Sequence, residues 1–225
     1  MIQALKEHVG NAESRAMDAM SLFGERRGID WLTYNPLRMR FFHRYAARDA
    51  AAVVQSLEIA VPAATRYADV GSGSGAFAAE AIRRGHPTVA CERSAVGRWF
   101  AKRQGVTCTS FDLTRDPAAL LPDAIDLAYS FEVAEHLPPD LGDQLVRFMA
   151  QTGAPTIVFS AAQPGQGGTG HINEQPPAYW RERFAASGYP LEAERTEVLR
   201  ASFAANGVIG AWFADNAMVF ARMPT

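Results

Sequence analysis

From Arg66 onward, short apolar runs alternate with longer stretches whose apolar positions recur every three or four residues. RYADV (66–70), TVACE (88–92), VTCTS (106–110), AIDLAYS (124–130) and PTIVFSA (155–161) read as strands. AFAAEAIRRG (76–85), AVGRWFAKRQG (95–105), DLGDQLVRFMA (140–150) and AYWRERFAASG (178–188) read as the helices between and after them. Gly85, Gly105 and Gly188 stand where helix C-caps belong. Strands apolar along nearly their whole length predict a parallel sheet covered by helices on both faces, an α/β fold. The tail from Leu191 fits a strand, a helix and a last strand near ADNAMVFARM. The first 60 residues have a different pattern. IQALKEHVGNAESRAMDAM suits an amphipathic helix, SLFGERRGID breaks it, and Asn35-Pro36 offers an N-cap and first-turn proline for a helix through Leu57. This predicts an N-terminal helical lid over 1–60 and one domain over 61–225, with no internal repeat.

Length and charge narrow the picture. The 225 residues suffice for one α/β domain with a real core. Lysine plus arginine is 22 against 24 for aspartate plus glutamate, so no basic excess draws a polyphosphate backbone and nucleic acid is not an expected partner. Cys91 and Cys108 form no C-x-x-C, and the first residues have no apolar run behind their charges. The expectation is a reduced, cytoplasmic protein outside the membrane, with a homodimer left open. Both cysteines fall in apolar strands and read as buried small side chains.

The first chemical signal is DVGSGSGAF, running from a strand into a helix. Gly71, Gly73 and Gly75 allow close backbone approach to a ligand at a helix N-terminus. Gly71-x-Gly73-x-x-Ala76 also satisfies the relaxed dinucleotide fingerprint, so the glycines alone do not choose a cofactor. Asp69, Glu92 and Asp112 stand at or just after the ends of three successive strands, where parallel sheets bind ligands. Three acids suit a ligand bearing hydroxyls, an amine and an adenine better than one bearing a pyrophosphate.

With these residues the chain resembles the class I S-adenosylmethionine-dependent methyltransferases from about Arg66 to its end. The resemblance implies a Rossmann-like, seven-stranded, mostly parallel sheet with an antiparallel last strand. It also implies a cofactor held by Asp69 near the methionine ammonium, Gly71, Gly73, Gly75, Glu92 at the ribose hydroxyls, and Asp112 and Leu113 beside the adenine. DLAYSFEVAEHL resembles the family's fourth motif, in which Ser130 and Phe131 would line the sulfonium end.

FEVAEHLPPD follows the fourth strand, and the loop AAQPGQGGTGHINEQPPAYW follows the fifth. Neighbouring strand ends thus supply Glu132, Glu135, His136 and His171, a ligand set by residue type. Mixed nitrogen and oxygen donors suit Mn, Fe, Co, Ni or Zn, with Mg where carboxylates and waters dominate. A metal there would hold two adjacent oxygens of a diol or catechol and acidify the attacking hydroxyl. The E-x-x-E-H run with a later histidine resembles the metal site of small-RNA 3′-terminal 2′-O-methyltransferases, and ubiquinone-biosynthesis O-methyltransferases have a similar run. Two other readings stay open. His136 or His171 can act as a metal-free base. Alternatively, the glutamate caps the next helix or orients a loop while the histidine packs, as in methyltransferases with E-H-L and no metal.

GQGGTGH (165–171) begins like a phosphate loop, but His171 and Ile172 stand where lysine and serine or threonine belong, so it reads as a flexible loop carrying His171. Tyr34, Arg38, Arg40, His43, Arg44 and Arg48 are either a solvated helix face or part of a roof, with Tyr34 or His43 reaching inward. Trp99 and Phe100 suit helix packing or the edge of an adenine, and Tyr179 and Trp180 suit core or substrate wall. The expected function is S-adenosylmethionine-dependent O-methylation of a small hydroxylated acceptor: a sugar, diol or phenol-like natural product. The alternatives are metal-free N- or C-methylation, an NAD-dependent oxidoreductase, or a non-catalytic cofactor-binding module.

Overall fold

The strands follow the apolar runs closely. The computed structural model describes residues 19–21, 23, 24, 27, 29–114, 124–168, 170–208 and 210–223. Within these, β1 (Tyr67–Val70), β2 (Thr88–Glu92), β3 (Cys108–Ser110), β4 (Leu127–Phe131), β5 (Thr156–Ser160) and β6 (Met218–Ala221) form one sheet in the order β3-β2-β1-β4-β5-β6. All neighbours are parallel except β5 and β6. The strand order reverses between β1 and β4, which opens a crevice at their carboxyl ends. Six strands stand where seven were expected. The missing one is reduced to a single antiparallel bridge, Leu191 to Phe220, because a helix begins two residues later at Ala193 and ends the extended backbone.

The long apolar strands are explained by helices on both sides. Ala68, Val70, Ala128, Ile157 and Phe159 point toward α5 (Pro139–Gln151) and α6 (Pro177–Ala186), where Leu145, Phe148, Trp180 and Phe184 are buried. Tyr67, Leu127, Tyr129 and Val158 point to the other face and meet α2 (Pro36–Ala60), α3 (Ala76–Arg83), α7 (Ala193–Ala205) and α8 (Ala211–Asn216). Ala101 of α4 (Ala95–Arg103) packs with Ala78 and Ala90. Gly85, Gly105 and Gly188 all adopt positive φ, as C-caps require.

The expected first helix lies outside the described residues but for its last two, and a short α1 (Asp30–Thr33) precedes the cap. Asn35 caps α2 by accepting from the Arg38 N–H at 3.0 Å, with Pro36 in the first turn. This helix has two unlike halves. Val53, Val54, Leu57 and Ala60 follow the 3.6-residue period and are core residues, whereas Leu37, Phe41, Phe42 and Tyr45 are exposed. Among the described residues, no helix is long and apolar enough to cross a membrane.

Candidate active site

The carboxyl ends of β1 and β2 form a cradle fixed largely by backbone. Gly71 has φ of 79°, and a Cβ there would come within 2.6 Å of Val133, so the turn requires glycine on both counts. The Glu92 carboxylate accepts from the Gly73 N–H at 2.8 Å and the Ser94 N–H at 2.6 Å, one bond to each oxygen. Burial raises its pKa, while the two amides, Arg98 and Arg93 act against that rise. Gly97, which the sequence reading did not single out, brings α4 against this cradle. A Cβ at this position would meet the Gly73 carbonyl oxygen at 2.6 Å and Glu92 Cγ at 2.9 Å. A glycine inside a helical pattern was the available signal. Ser94 caps the same helix by accepting from the Gly97 N–H at 3.2 Å.

Asp69 is buried opposite its register partner Tyr129, and among the described residues neither Asp69 Oδ2 nor the Tyr129 hydroxyl makes a hydrogen bond of good geometry, although the hydroxyl acts to lower the Asp69 pKa. Burial, with the Glu92 charge adding to it, pushes Asp69 up to about 8. Asp112 accepts through Oδ1 from the Thr114 N–H at 3.0 Å and hydroxyl at 2.7 Å, and the Leu113 side chain enters the core. Ser130 is fully buried with no partner for its hydroxyl. The Phe131 ring packs among Phe77, Tyr129 and Phe213. Above the glycine loop, α2 places His43 Nδ1 3.1 Å from the Ser74 hydroxyl, and the His43 ring lies near Phe100.

At the ends of β4 and β5 the construction differs. Glu132 leaves β4 with φ of 54°, and the chain then turns through a 3₁₀ segment (Ala134–His136) into Pro138 and Pro139 at the start of α5. That helix has Pro138 at its N-cap and no side-chain cap, so neither glutamate serves as the cap. The loop after β5 is stitched to the 3₁₀ turn: the Ile172 and Asn173 N–H groups donate to the Glu135 carbonyl at 2.9 and 3.0 Å. His171 is thereby set beside His136, with ring centroids 4.9 Å apart.

Glu135, His136 and His171 each offer a ligand atom within 4.8 Å of the others. Glu135 is fully buried, and among the described residues neither carboxylate oxygen makes a hydrogen bond of good geometry. Burial first, then the nearby Glu132, raises its pKa well above the carboxylate range. His136 Nδ1–H donates to the Gly170 carbonyl at 3.1 Å, and burial pushes this imidazole down to about 4, with His171 and Arg38 adding to the effect. His171 Nδ1 lies 2.9 Å from Glu174 Oε1. Glu174, held below the usual range mainly by His171 and the Gly165 amide, also accepts from the Gly165 and Gly167 N–H groups. Both imidazoles are thus engaged at Nδ1, which leaves Nε2 for a ligand, as metal-binding histidines are commonly held.

Glu132, the fourth residue of the expected set, does not join the three. Its carboxylate accepts from Asn216 of α8 at 3.1 and 3.3 Å and from Gln166 at 3.3 Å. Asn216 lies 84 residues away, and no local pattern announces it. Glu174 was closer to legible, standing three residues after His171. Trp180 is core, whereas Tyr179 is half-buried beneath the Arg183 guanidinium. Cys91 is buried and Cys108 half-buried.

No protein-family model matches the chain, and no curated protein does. Solved structures do. A sugar N-methyltransferase from Streptoalloteichus sp. superposes with a TM-score of 0.58 at 16% identity, over 82% of this chain and 92% of that one. An S-adenosylmethionine-bound amino pentose methyltransferase from Micromonospora echinaspora gives 0.59 at 17%, over 81% and 97%. The cyclase SpnF gives 0.53 at 17%, over 80% and 81%. The chain has the Rossmann-like fold of these proteins. Their reactions differ, so the chemistry has to be argued from the site.

Proposed function

We propose that the chain transfers a methyl group from S-adenosylmethionine to a hydroxyl of a small sugar, diol or phenol-like acceptor, at the Glu135, His136 and His171 group, with a divalent cation held there. The observation that carries this reading is the buried, unpartnered carboxylate of Glu135 beside two imidazoles already engaged at Nδ1. Burying such a group without a well-formed hydrogen bond costs stability. A cation is the partner that this donor set fits.

The cradle supports the cofactor assignment. Each oxygen of Glu92 is fixed by one amide and keeps a lone pair for one of two neighbouring ribose hydroxyls. Asp69 would serve the methionine ammonium, Asp112 and Leu113 the adenine, and Ser130 and Phe131 the sulfonium end. S-adenosylmethionine supplies an electrophilic methyl group whose in-line displacement needs no protein nucleophile, so much of the acceleration comes from holding the acceptor in line. A cation bound by Glu135, His136 and His171 would supply Lewis acidity toward the acceptor hydroxyl. Burial keeps His136 neutral and able to donate a lone pair. The first half of α2, with His43 on Ser74, roofs the crevice. O-methylation is favoured over N-methylation because a hydroxyl must be acidified before attack, whereas a neutral amine already has its lone pair.

Titration calorimetry with S-adenosylhomocysteine and with NADH tests the cofactor. Methyl transfer to a panel of sugars, catechols and amines, with manganese or with a chelator, then tests the chemistry. The expected result is S-adenosylhomocysteine binding and cation-dependent methylation of a hydroxyl. Tight NADH binding without a response to S-adenosylhomocysteine would overturn the cofactor assignment, and chelator-insensitive turnover would overturn the cation.

A further inference from the structure

Glu174 lies outside the group of three, yet it makes three hydrogen bonds that converge on one function. Its Oε1 accepts from the Gly167 N–H at 2.7 Å and faces His171 Nδ1 at 2.9 Å, and its Oε2 accepts from the Gly165 N–H at 2.8 Å. Both oxygens are therefore anchored to the backbone of the loop after β5, and the carboxylate does not depend on the histidine for its place. A carboxylate so fixed can only accept, so the imidazole nitrogen facing it must carry the proton. The other face of the ring is confined as well. A Cβ on Gly168 would come within 2.4 Å of His171 Nε2, so the ring edge occupies space that only glycine leaves open.

We propose that Glu174 is a positioning residue that fixes His171 in the Nδ1–H tautomer, leaving Nε2 as the ring atom with a lone pair for the centre it shares with Glu135 and His136. The assignment of that lone pair to a cation rests on the reading proposed above, whereas the tautomer does not. His136 reaches the same tautomer by another route, through the Gly170 carbonyl. Two different acceptors thus impose one proton arrangement on two adjacent rings. Replacing Glu174 by leucine, which has similar volume and no acceptor, would leave the Nδ1 proton without its partner and let the ring return to the Nε2–H form that an unconstrained imidazole prefers.

Two measurements on the full chain test this. Long-range proton–nitrogen correlation spectra at pH 8, without added metal, report the His171 tautomer. The wild type is expected to show Nδ1–H, and Glu174→Leu to move the population toward Nε2–H. Cobalt titration, followed by visible absorption, is expected to show about 10- to 100-fold weaker binding for Glu174→Leu, the usual size of such outer contributions. A merely structural role would leave the tautomer unmoved in a folded variant. A wild-type Nε2–H ring, or a folded leucine variant with unchanged tautomer, would overturn the proposal. If the wild type takes up no cobalt, the cation reading fails, and the tautomer still decides the role of Glu174. If Glu174→Leu is too unstable to study, Glu174→Asp, which keeps the charge but draws the carboxylate back from Nδ1, carries the same test.

Discussion

The two halves of the crevice are built in opposite ways. At the ends of β1 and β2 the chain is held by backbone: glycines allow close approaches, and Glu92 spends its hydrogen bonds on the Gly73 and Ser94 amides. At the ends of β4 and β5 the candidate groups are buried or half-buried side chains, and among the described residues Glu135 makes no side-chain hydrogen bond of good geometry. The backbone-built half is close to self-sufficient and needs little from distant residues. The side-chain half buries a carboxyl group without a well-formed hydrogen bond beside two imidazoles, at a cost in stability that the proposed site would explain. Asp69 is the exception in the first half, since it too is buried with an unpartnered oxygen.

The sharpest way to break this contrast is at Glu135. Glu135→Leu is expected to lower methyl transfer by about 10²- to 10⁴-fold, the range of a lost acid–base or cation contribution. It should also raise the unfolding temperature, because an unsatisfied buried group is removed. A fall in both activity and stability would show that Glu135 holds the fold. At the cradle the expectation is reversed. Gly97→Ala should cost roughly 1–3 kcal/mol of stability, as overpacking does, and weaken S-adenosylhomocysteine binding at least about tenfold. Its Cβ would meet the backbone at Gly73 as well as Glu92, and a carbonyl oxygen cannot swing aside as a side-chain tip can. Unchanged affinity would remove the reason given for this glycine.

A smaller effect should come from Asp69. Its folded pKa, pushed up to about 8, lies above the value of about 4 expected in the unfolded chain. The stability it contributes is therefore complete below about pH 4 and is lost as pH rises toward 8. In the ligand-free protein, the melting temperature of Asp69→Asn minus that of the wild type should grow by several degrees between about pH 5 and pH 8. A pH-independent difference would mean that Asp69 is ionised throughout. The smallest effect is expected at the cysteines. Burial pushes Cys91 up to about 12 and Cys108 up to about 11, so a thiol reagent at pH 8 should label the native protein only slowly and leave methyl transfer unchanged.

Much of the fold was legible because it depends on local rules. The strand from Thr88 to Glu92 coincides with its apolar run, and the N-cap at Asn35 with its Pro36 marks the start of a helix wherever it occurs. The seventh strand was not legible, since whether Leu191 extends a sheet or makes a single bridge depends on the helix that begins at Ala193. Sequence order could place FEVAEHL and GHINEQ at adjacent strand ends, because parallel α/β units put their loops on one edge. It could not sort the four residues they carry. Glu132 turns to Asn216 and Gln166, and His171 reaches His136 through backbone bonds from Ile172 and Asn173 to Glu135.

By itself, then, the sequence determined the alternation of strands and helices, the glycine loop and the acids at or just after the ends of the first three strands. Periodicity, turn chemistry and strand-end position are properties of neighbouring residues. Only the tertiary structure decided that Gly97 presses on the cradle, that the Glu135 carboxyl group is buried beside two imidazoles, and that Glu174 stands 2.9 Å from His171 Nδ1. Those facts depend on which groups from distant segments share a volume too small and too dry to leave their hydrogen bonds to water.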